Sequence, residues 1–193
     1  MTSYLTTHNK FIGQFAYREL ETDHDGLPLI MLTHLSATLD DWDPLFIDQL
    51  AEQNHVIAVD LPGVGASRGH VPPTIEEMAS QAIEFVQLLG FSKINLLGLS
   101  MGGMIAQAVA EKKPELINRL VLAGTGPRGG QGIAQVSTIT FTTMIKSNAF
   151  RMDRQQIGHL PNQFAWDRRN GINNDKVRVA SLIKVFFNWQ IWF

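Results

Sequence analysis

The sequence predicts an α/β fold: a mostly parallel sheet flanked by helices, followed by a helical, lid-like C-terminal region. Three observations carry this. Short apolar runs alternate with amphipathic stretches of helical period, in the order strand, helix, strand, helix, strand, helix, strand; such crossovers imply a parallel sheet covered on both faces. One of these units, Lys93-Ile-Asn-Leu-Leu-Gly98-Leu-Ser100-Met-Gly102-Gly103, joins a strand to a helix through a Gly-x-Ser-x-Gly turn. After Gly132 the alternation gives way to short helical patterns broken at Gly158, Pro161 and Asn170-Gly171.

In chain order, Phe11 to Glu21 carries alternating apolar positions and is expected to hold an edge strand. Thr22 to Gly26 is a turn cluster. Leu27-Pro-Leu-Ile-Met-Leu32 is apolar throughout, as a strand buried on both faces must be. A helix is expected from Trp42 to Gln53, capped by Asp40 or Asp41. His55 to Val59 is the next strand, and a glycine-rich loop runs from Asp60 to Pro73. Thr74-Ile-Glu-Glu77 reads as a capping box. The helix it opens carries Met78, Ala82, Phe85, Val86 and Leu89 on one face and stops at Gly90. Ile94 to Leu97 and Ile117 to Ala123 are the last two strands, with a helix between them that ends near Pro114. The domain reading is a core over 1–132 and a dependent helical lid over 133–193.

Composition narrows the class of function. The 193 residues are 45% hydrophobic and suffice for one sizeable core. Lys+Arg is 16 against Asp+Glu 18, so no basic excess points to nucleic acid. There is no cysteine, hence no disulfide framework and no thiolate chemistry. No His-Glu-x-x-His motif or His/Asp cluster suggests a metal, and no cofactor is expected. Gly63-Val-Gly65 lacks the third glycine of a dinucleotide fingerprint. The N-terminal residues lack a signal-peptide pattern, and no apolar run reaches the roughly 20 residues of a bilayer span. The expectation is a soluble, cytoplasmic protein acting on a small molecule.

The Gly-x-Ser-x-Gly turn is where chemistry is expected. A serine on a sharp strand-to-helix turn holds its hydroxyl clear of the backbone. Gly98 and Gly102 lack a Cβ, so strand and helix can close on the turn. The helix N-terminus presents free N–H groups and a positive dipole end to any oxygen that becomes negative there. The competing reading is a serine that merely caps the helix. The loop after Leu32, Asp60, Ser100 and the Gly124-Thr-Gly-Pro127 loop all follow strands, so topology gathers them at the carboxyl edge of the sheet.

Three segments together resemble the α/β-hydrolase family. They are the Gly98-Leu-Ser-Met-Gly102 elbow, the Asp60-Leu-Pro-Gly63-Val-Gly65-Ala-Ser67 loop, and Leu32-Thr-His-Leu35 with Asp41-Trp42-Asp-Pro44 after it. The last two look most like esterases, enol-lactonases and cofactor-free haloperoxidases. The resemblance implies a nucleophile at Ser100. It implies oxyanion-hole donors at the backbone N–H groups of Met101 and Leu35, with Ser36 as the alternative to Leu35. It makes His34 a loop residue rather than a base. It gives Asp60 a structural role, holding the glycine loop by hydrogen bonds.

A serine hydroxyl needs a histidine to take its proton and a carboxylate to orient that histidine. In the family these follow the serine in the order acid, then histidine. Here the Gly124–Arg128 loop has no carboxylate, and His159, in the lid region, is the sole histidine after Ser100. The expectation is therefore a hydrolase core lacking its last strands, truncated or frameshifted from a longer gene. Its edge at Ile117–Ala123 and its aromatic tail at 185–193 would be open to self-association. The expected activity is hydrolysis of a small carboxylic ester or lactone through an acyl-enzyme on Ser100. The alternative is a binding protein, or fragment, that keeps the pocket without turnover. A partner chain supplying the missing strands and histidine is a third reading.

Overall fold

In the computed structural model of the chain, the described residues are 3–21, 26–128, 130 and 177–178. Two compact units divide the chain: Met1–Thr125 with Asn173–Ser181, and Gly126–Ile172 with Leu182–Phe193. The first unit holds the sheet and the helices that cover it. The turn cluster at 22–25, His159, the aromatic tail and the lid expected over 133–193 lie outside the described residues, apart from 177–178.

The sheet has seven strands among the described residues. They are β1 (Lys10–Ile12), β2 (Phe15–Leu20), β3 (Leu29–Leu32), β4 (Val56–Asp60), β5 (Ile94–Leu99), β6 (Ile117–Ala123) and β7 (Val177–Arg178), in the spatial order β1-β2-β4-β3-β5-β6-β7. β4, β3, β5, β6 and β7 run parallel, whereas β2 is antiparallel to β1 and β4. Among the described residues, three helices cross between the parallel strands: α1 (Pro44–Ala51), α2 (Ile75–Leu88) and α3 (Met101–Lys112).

Period-two alternation sorts the apolar residues of the strands onto two faces. Ile30, Leu32, Ile57, Val59, Ile94, Leu96, Leu120 and Leu122 enter a core with Met78, Phe85 and Val86 of α2 and Ile105 and Val109 of α3. Leu29, Met31, Val56, Ala58 and Leu97 enter the opposite core with Ile47 and Ala51 of α1, Trp42 and Tyr4. Because both faces are covered, β3 and β4 are buried at every position. Phe15 and Tyr17 of β2 pack their rings on Phe85, at centroid distances of 5.3 and 5.6 Å.

Four local expectations are corrected. Phe11 to Glu21 holds no single edge strand but part of a hairpin, β1–β2, turning at Gly13 with φ 56°. β2 lies inside the sheet, its other side paired with β4. The cap of α1 is neither Asp40 nor Asp41 but Asp43, whose Oδ1 accepts the Leu45 N–H at 2.9 Å. Pro44 at the first helical position sets that start, while Asp41 closes a separate capping box with Thr38 around the 3-10 turn Leu39–Asp41. For α2, Thr74 Oγ1 accepts the Glu77 N–H at 3.2 Å, the Thr74 half of the expected box. Finally, β6 is not bare along its whole length. β7 pairs with it at Leu120↔Val177 and Val121↔Arg178. Asn173-Asn-Asp-Lys-Val-Arg178 has too few apolar residues to announce a strand.

A charged cluster ties the hairpin to the sheet. Glu19 of β2 receives Lys10 Nζ at 2.7 Å on one oxygen and contacts His55 Nε2 at 2.6 Å on the other. Burial pushes the Glu19 carboxyl up, but the hydrogen bonds and charges of Lys10 and His55 outweigh this and leave it below its ordinary value. A carboxyl lowered in the folded state adds stability above its unfolded value, and that stability is lost as the pH falls through the folded value. Glu19→Gln is therefore expected to lose about 1–2 kcal/mol at neutral pH and to flatten the acid side of the stability profile. Urea unfolding of parent and variant from about pH 6 to pH 3 reads this; equally steep acid limbs would remove Glu19 from the account.

Candidate active site

The turn after β5 has an unusual backbone. Ser100 has φ 54° and ψ −112°, one of two non-glycine residues at positive φ among those described. Such a conformation costs about 1–3 kcal/mol and persists only where its surroundings enforce it. Here they are specific. The Ser100 N–H donates to the Ala123 carbonyl of β6 at 2.8 Å, and the Ser100 carbonyl accepts from Gly103 and Met104 as α3 begins. Three glycines permit the closeness. A Cβ on Gly98 would run into the backbone of Gly102 and Gly103. One on Gly102 would strike the carbonyl oxygens of Leu32 and Thr33, and one on Gly103 the side chain of Thr125.

The half-buried Ser100 is the N-cap of α3, yet its side chain makes no capping hydrogen bond. The competing reading, a serine present only to cap the helix, is thereby set aside. Met101 is the first residue of the 12-residue α3, so its N–H has no acceptor within the helix.

The Gly102 contacts bring the loop after β3 against this turn. That loop contains the other positive-φ residue, Ser36, at φ 61°. The Leu35 side chain is 61% exposed. The Ala37 N–H donates to the His34 carbonyl at 3.3 Å, and His34 Nδ1 lies 2.9 Å from the Leu35 carbonyl. His34 is thus a loop residue engaged with its own loop. Downstream the chain is anchored: Leu39 and Trp42 are buried, and Thr38 and Asp41 close their box.

Asp60, at the end of β4, is 3% exposed. Its Oδ1 accepts the Leu39 N–H at 2.7 Å and its Oδ2 the Ala66 N–H at 3.2 Å. Its backbone carbonyl accepts from Ser67 Oγ at 2.6 Å, and that hydroxyl accepts the Ala16 N–H at 2.7 Å. Gly65 has φ 52° and lies so close that a Cβ would overlap the Asp60 carboxylate. Burial pushes the Asp60 carboxyl above its ordinary value; the Leu39 and Ala66 N–H groups oppose this, and Asp40 adds to it. One carboxylate therefore holds two loops at the carboxyl edge of the sheet, the glycine loop and the loop after β3.

The family model described as alpha/beta hydrolase fold matches residues 27–139. The chain belongs to this family. Among curated relatives, the poly(3-hydroxyalkanoate) depolymerase of Ectopseudomonas oleovorans is 35% identical over 124 residues, 58% of this chain and 44% of that protein. Of solved structures, an alpha/beta hydrolase fold protein from Chitinophaga pinensis superimposes with a TM-score of 0.69 at 31% identity, covering 80% of this chain and 55% of that one. The enol-lactonase from Burkholderia xenovorans LB400 aligns with a TM-score of 0.53 at 28% identity, covering 58% and 44% of the two chains. This hydrolase-family chain spans less than half the length of the first curated relatives it matches. Among its described residues no helix is long and apolar enough to cross a membrane, and no group of three or more His, Asp and Glu could hold a metal ion.

The structure brings together the surroundings of three predicted residues: Ser100 and Met101 on the elbow, and Leu35 on the loop against it. Sequence reasoning missed Tyr4 and Arg18, which reach the same loop from the N-terminal segment and β2; no local pattern marks such long-range partners. Two outcomes are expected for stability. Gly102→Ala is expected to cost about 2–3 kcal/mol by forcing a methyl onto two carbonyls. Asp60→Ala, which orphans two N–H groups, is expected to cost about 3 kcal/mol. Urea midpoints measure both, and a loss under about 1 kcal/mol in either would contradict the contacts described.

Proposed function

We propose that the chain is the core of a serine hydrolase that cleaves a small carboxylic ester or lactone. In this reading the Ser100 hydroxyl attacks the carbonyl carbon, forming a bond from Oγ to carbon while the carbonyl oxygen takes the negative charge. The backbone N–H groups of Met101 and Leu35 donate to that oxyanion. Collapse expels the alkoxide, which takes up the proton that the Ser100 hydroxyl gave up on attack, and leaves an acyl-enzyme; water then adds to the acyl carbon, releasing the acid and restoring the hydroxyl. The observation that carries this reading is the left-handed backbone of Ser100. A strained serine between a strand end and a helix start, with its hydroxyl not spent on capping, suits a nucleophile better than a structural turn. Some relatives carry names that fit this reading, among them a poly(3-hydroxyalkanoate) depolymerase, an enol-lactonase and a pimeloyl-[acyl-carrier protein] methyl ester esterase from Aliivibrio salmonicida, whereas a soluble epoxide hydrolase of Corynebacterium sp. is named for a different bond.

The base and its orienting acid are not assigned to residues of this chain. The alternative, a protein that binds the same ligands without turnover, differs in one respect: its Ser100 hydroxyl is unactivated.

Treatment of the 193-residue chain with a fluorophosphonate, followed by intact-mass measurement, separates the two. A single adduct that forms rapidly and is abolished by Ser100→Ala is expected. A folded chain that stays unlabelled would sink the acyl-enzyme reading and leave the binding reading in its place.

A further inference from the structure

The loop between β3 and α1 is held from a third direction that catalysis by Ser100 does not require in itself. Leu39, whose N–H is taken by Asp60, has its carbonyl taken too: the Tyr4 hydroxyl donates to it at 2.6 Å. Both the tyrosine, at 2% exposure, and Leu39 are buried. Tyr4 lies in the short 3-10 turn Tyr4–Thr6, and this turn is itself tied down. The Tyr4 N–H donates to Asp48 Oδ1 and the Ser3 hydroxyl to Asp48 Oδ2, both at 2.7 Å, which fastens the segment to α1. The Arg18 guanidinium stands 5.4 Å from the centre of the Tyr4 ring and reaches Asp40, next to Leu39, at 2.5 Å. Arg18 Nε also donates to Asn9 Oδ1 at 2.9 Å.

Each end of the Leu39 peptide therefore meets a different element: Asp60 from the sheet, Tyr4 from the N-terminal segment. The residue stands four positions after Leu35, and the loop between them contains the positive-φ Ser36. A loop strained at one point keeps its shape only if its ends are fixed. Burial pushes the Tyr4 hydroxyl to a higher pKa than usual, with Arg18 opposing and Asp40 and Asp60 adding to it, so it remains a donor throughout the working pH range.

We infer that residues 3–7 form a strap that sets the loop after β3, and that Tyr4 is a positioning residue for the oxyanion donor at Leu35. The strap touches neither Ser100 nor the reacting atoms and acts through the Leu39 peptide. The kinetic part of this inference rests on the serine hydrolase reading; the structural part does not.

The test is Tyr4→Phe, which keeps the ring on Arg18 and deletes one hydroxyl. Two measurements on the full chain are compared with the parent. Amide hydrogen exchange at Ala37 and Leu39 is expected to quicken by about tenfold, since the Leu39 carbonyl loses its buried partner. Turnover of 4-nitrophenyl acetate is expected to show kcat lowered by about tenfold with KM within about twofold, the mark of a misplaced transition-state donor. Phe85→Leu, which loosens the opposite core, serves as a control and is expected to leave both readouts at the parent value at 25 °C. Unchanged exchange at Ala37 and Leu39 in Tyr4→Phe overturns the strap. So does an equal fall of kcat in Phe85→Leu, which would assign the effect to general loosening. If the parent fails to turn over the ester, the hydrolase reading fails on its own, and the exchange rates still decide whether the strap exists.

Discussion

The site depends on one backbone geometry: a serine held at φ 54° where β5 becomes α3. No L-residue adopts it without cost, so everything nearest the turn acts to enforce it. The edge of β6 supplies the Ala123 carbonyl for the Ser100 N–H. The absent side chains of Gly98, Gly102 and Gly103 let α3 start against the ends of β3 and β5, closer than any Cβ permits. Ile105, Ala106 and Val109 then bury α3 against the sheet, so the helix cannot swing away to relieve the strain. The turn is not an isolated motif. Its geometry is the product of three strand ends and one helix packed together.

This explains what could be read from residue order and what could not. Leu29–Leu32 and Val56–Val59 announced themselves because parallel strands buried on both faces must be continuously apolar. The Gly-x-Ser-x-Gly turn was legible because the end of the strand, the serine and the start of the helix are adjacent in sequence. Caps were legible only in kind. Three aspartates at positions 40, 41 and 43 compete within four residues, and Pro44, which fixes the helix start one residue after Asp43, decides among them. The hairpin was half legible: alternation marked a strand, but the pairing of β2 with β4, from Ala16↔Asp60 to Leu20↔Val56, joins residues far apart in sequence. β7 and the Tyr4 strap were illegible for the same reason. A two-residue strand and a single hydroxyl–carbonyl bond across 35 residues leave no periodic trace.

Of the candidate site, the residues with a local signature could be proposed from residue order, and the long-range partners Tyr4 and Arg18 could not. By type, the histidine at position 34, one residue before a proposed oxyanion donor, suggests a base; in the fold its Nδ1 lies 2.9 Å from the adjacent Leu35 carbonyl. The chemistry a residue can perform is set by where the chain turns it.

Asp60 makes the same point from the opposite side. A buried carboxylate at a strand's carboxyl end has the look of a catalytic acid, and burial does raise its pKa. Its hydrogen bonds explain why it is an aspartate. Two N–H donors, Leu39 and Ala66, approach from different loops, one on each oxygen. An asparagine offers one acceptor oxygen and would turn its own NH₂ toward the other donor, so only a carboxylate satisfies both. Each oxygen of the carboxylate so placed accepts one backbone N–H, and Gly65 leaves no room for it to turn. Its hydrogen bonds join the glycine loop to the loop after β3 at the edge on which Ser100 stands.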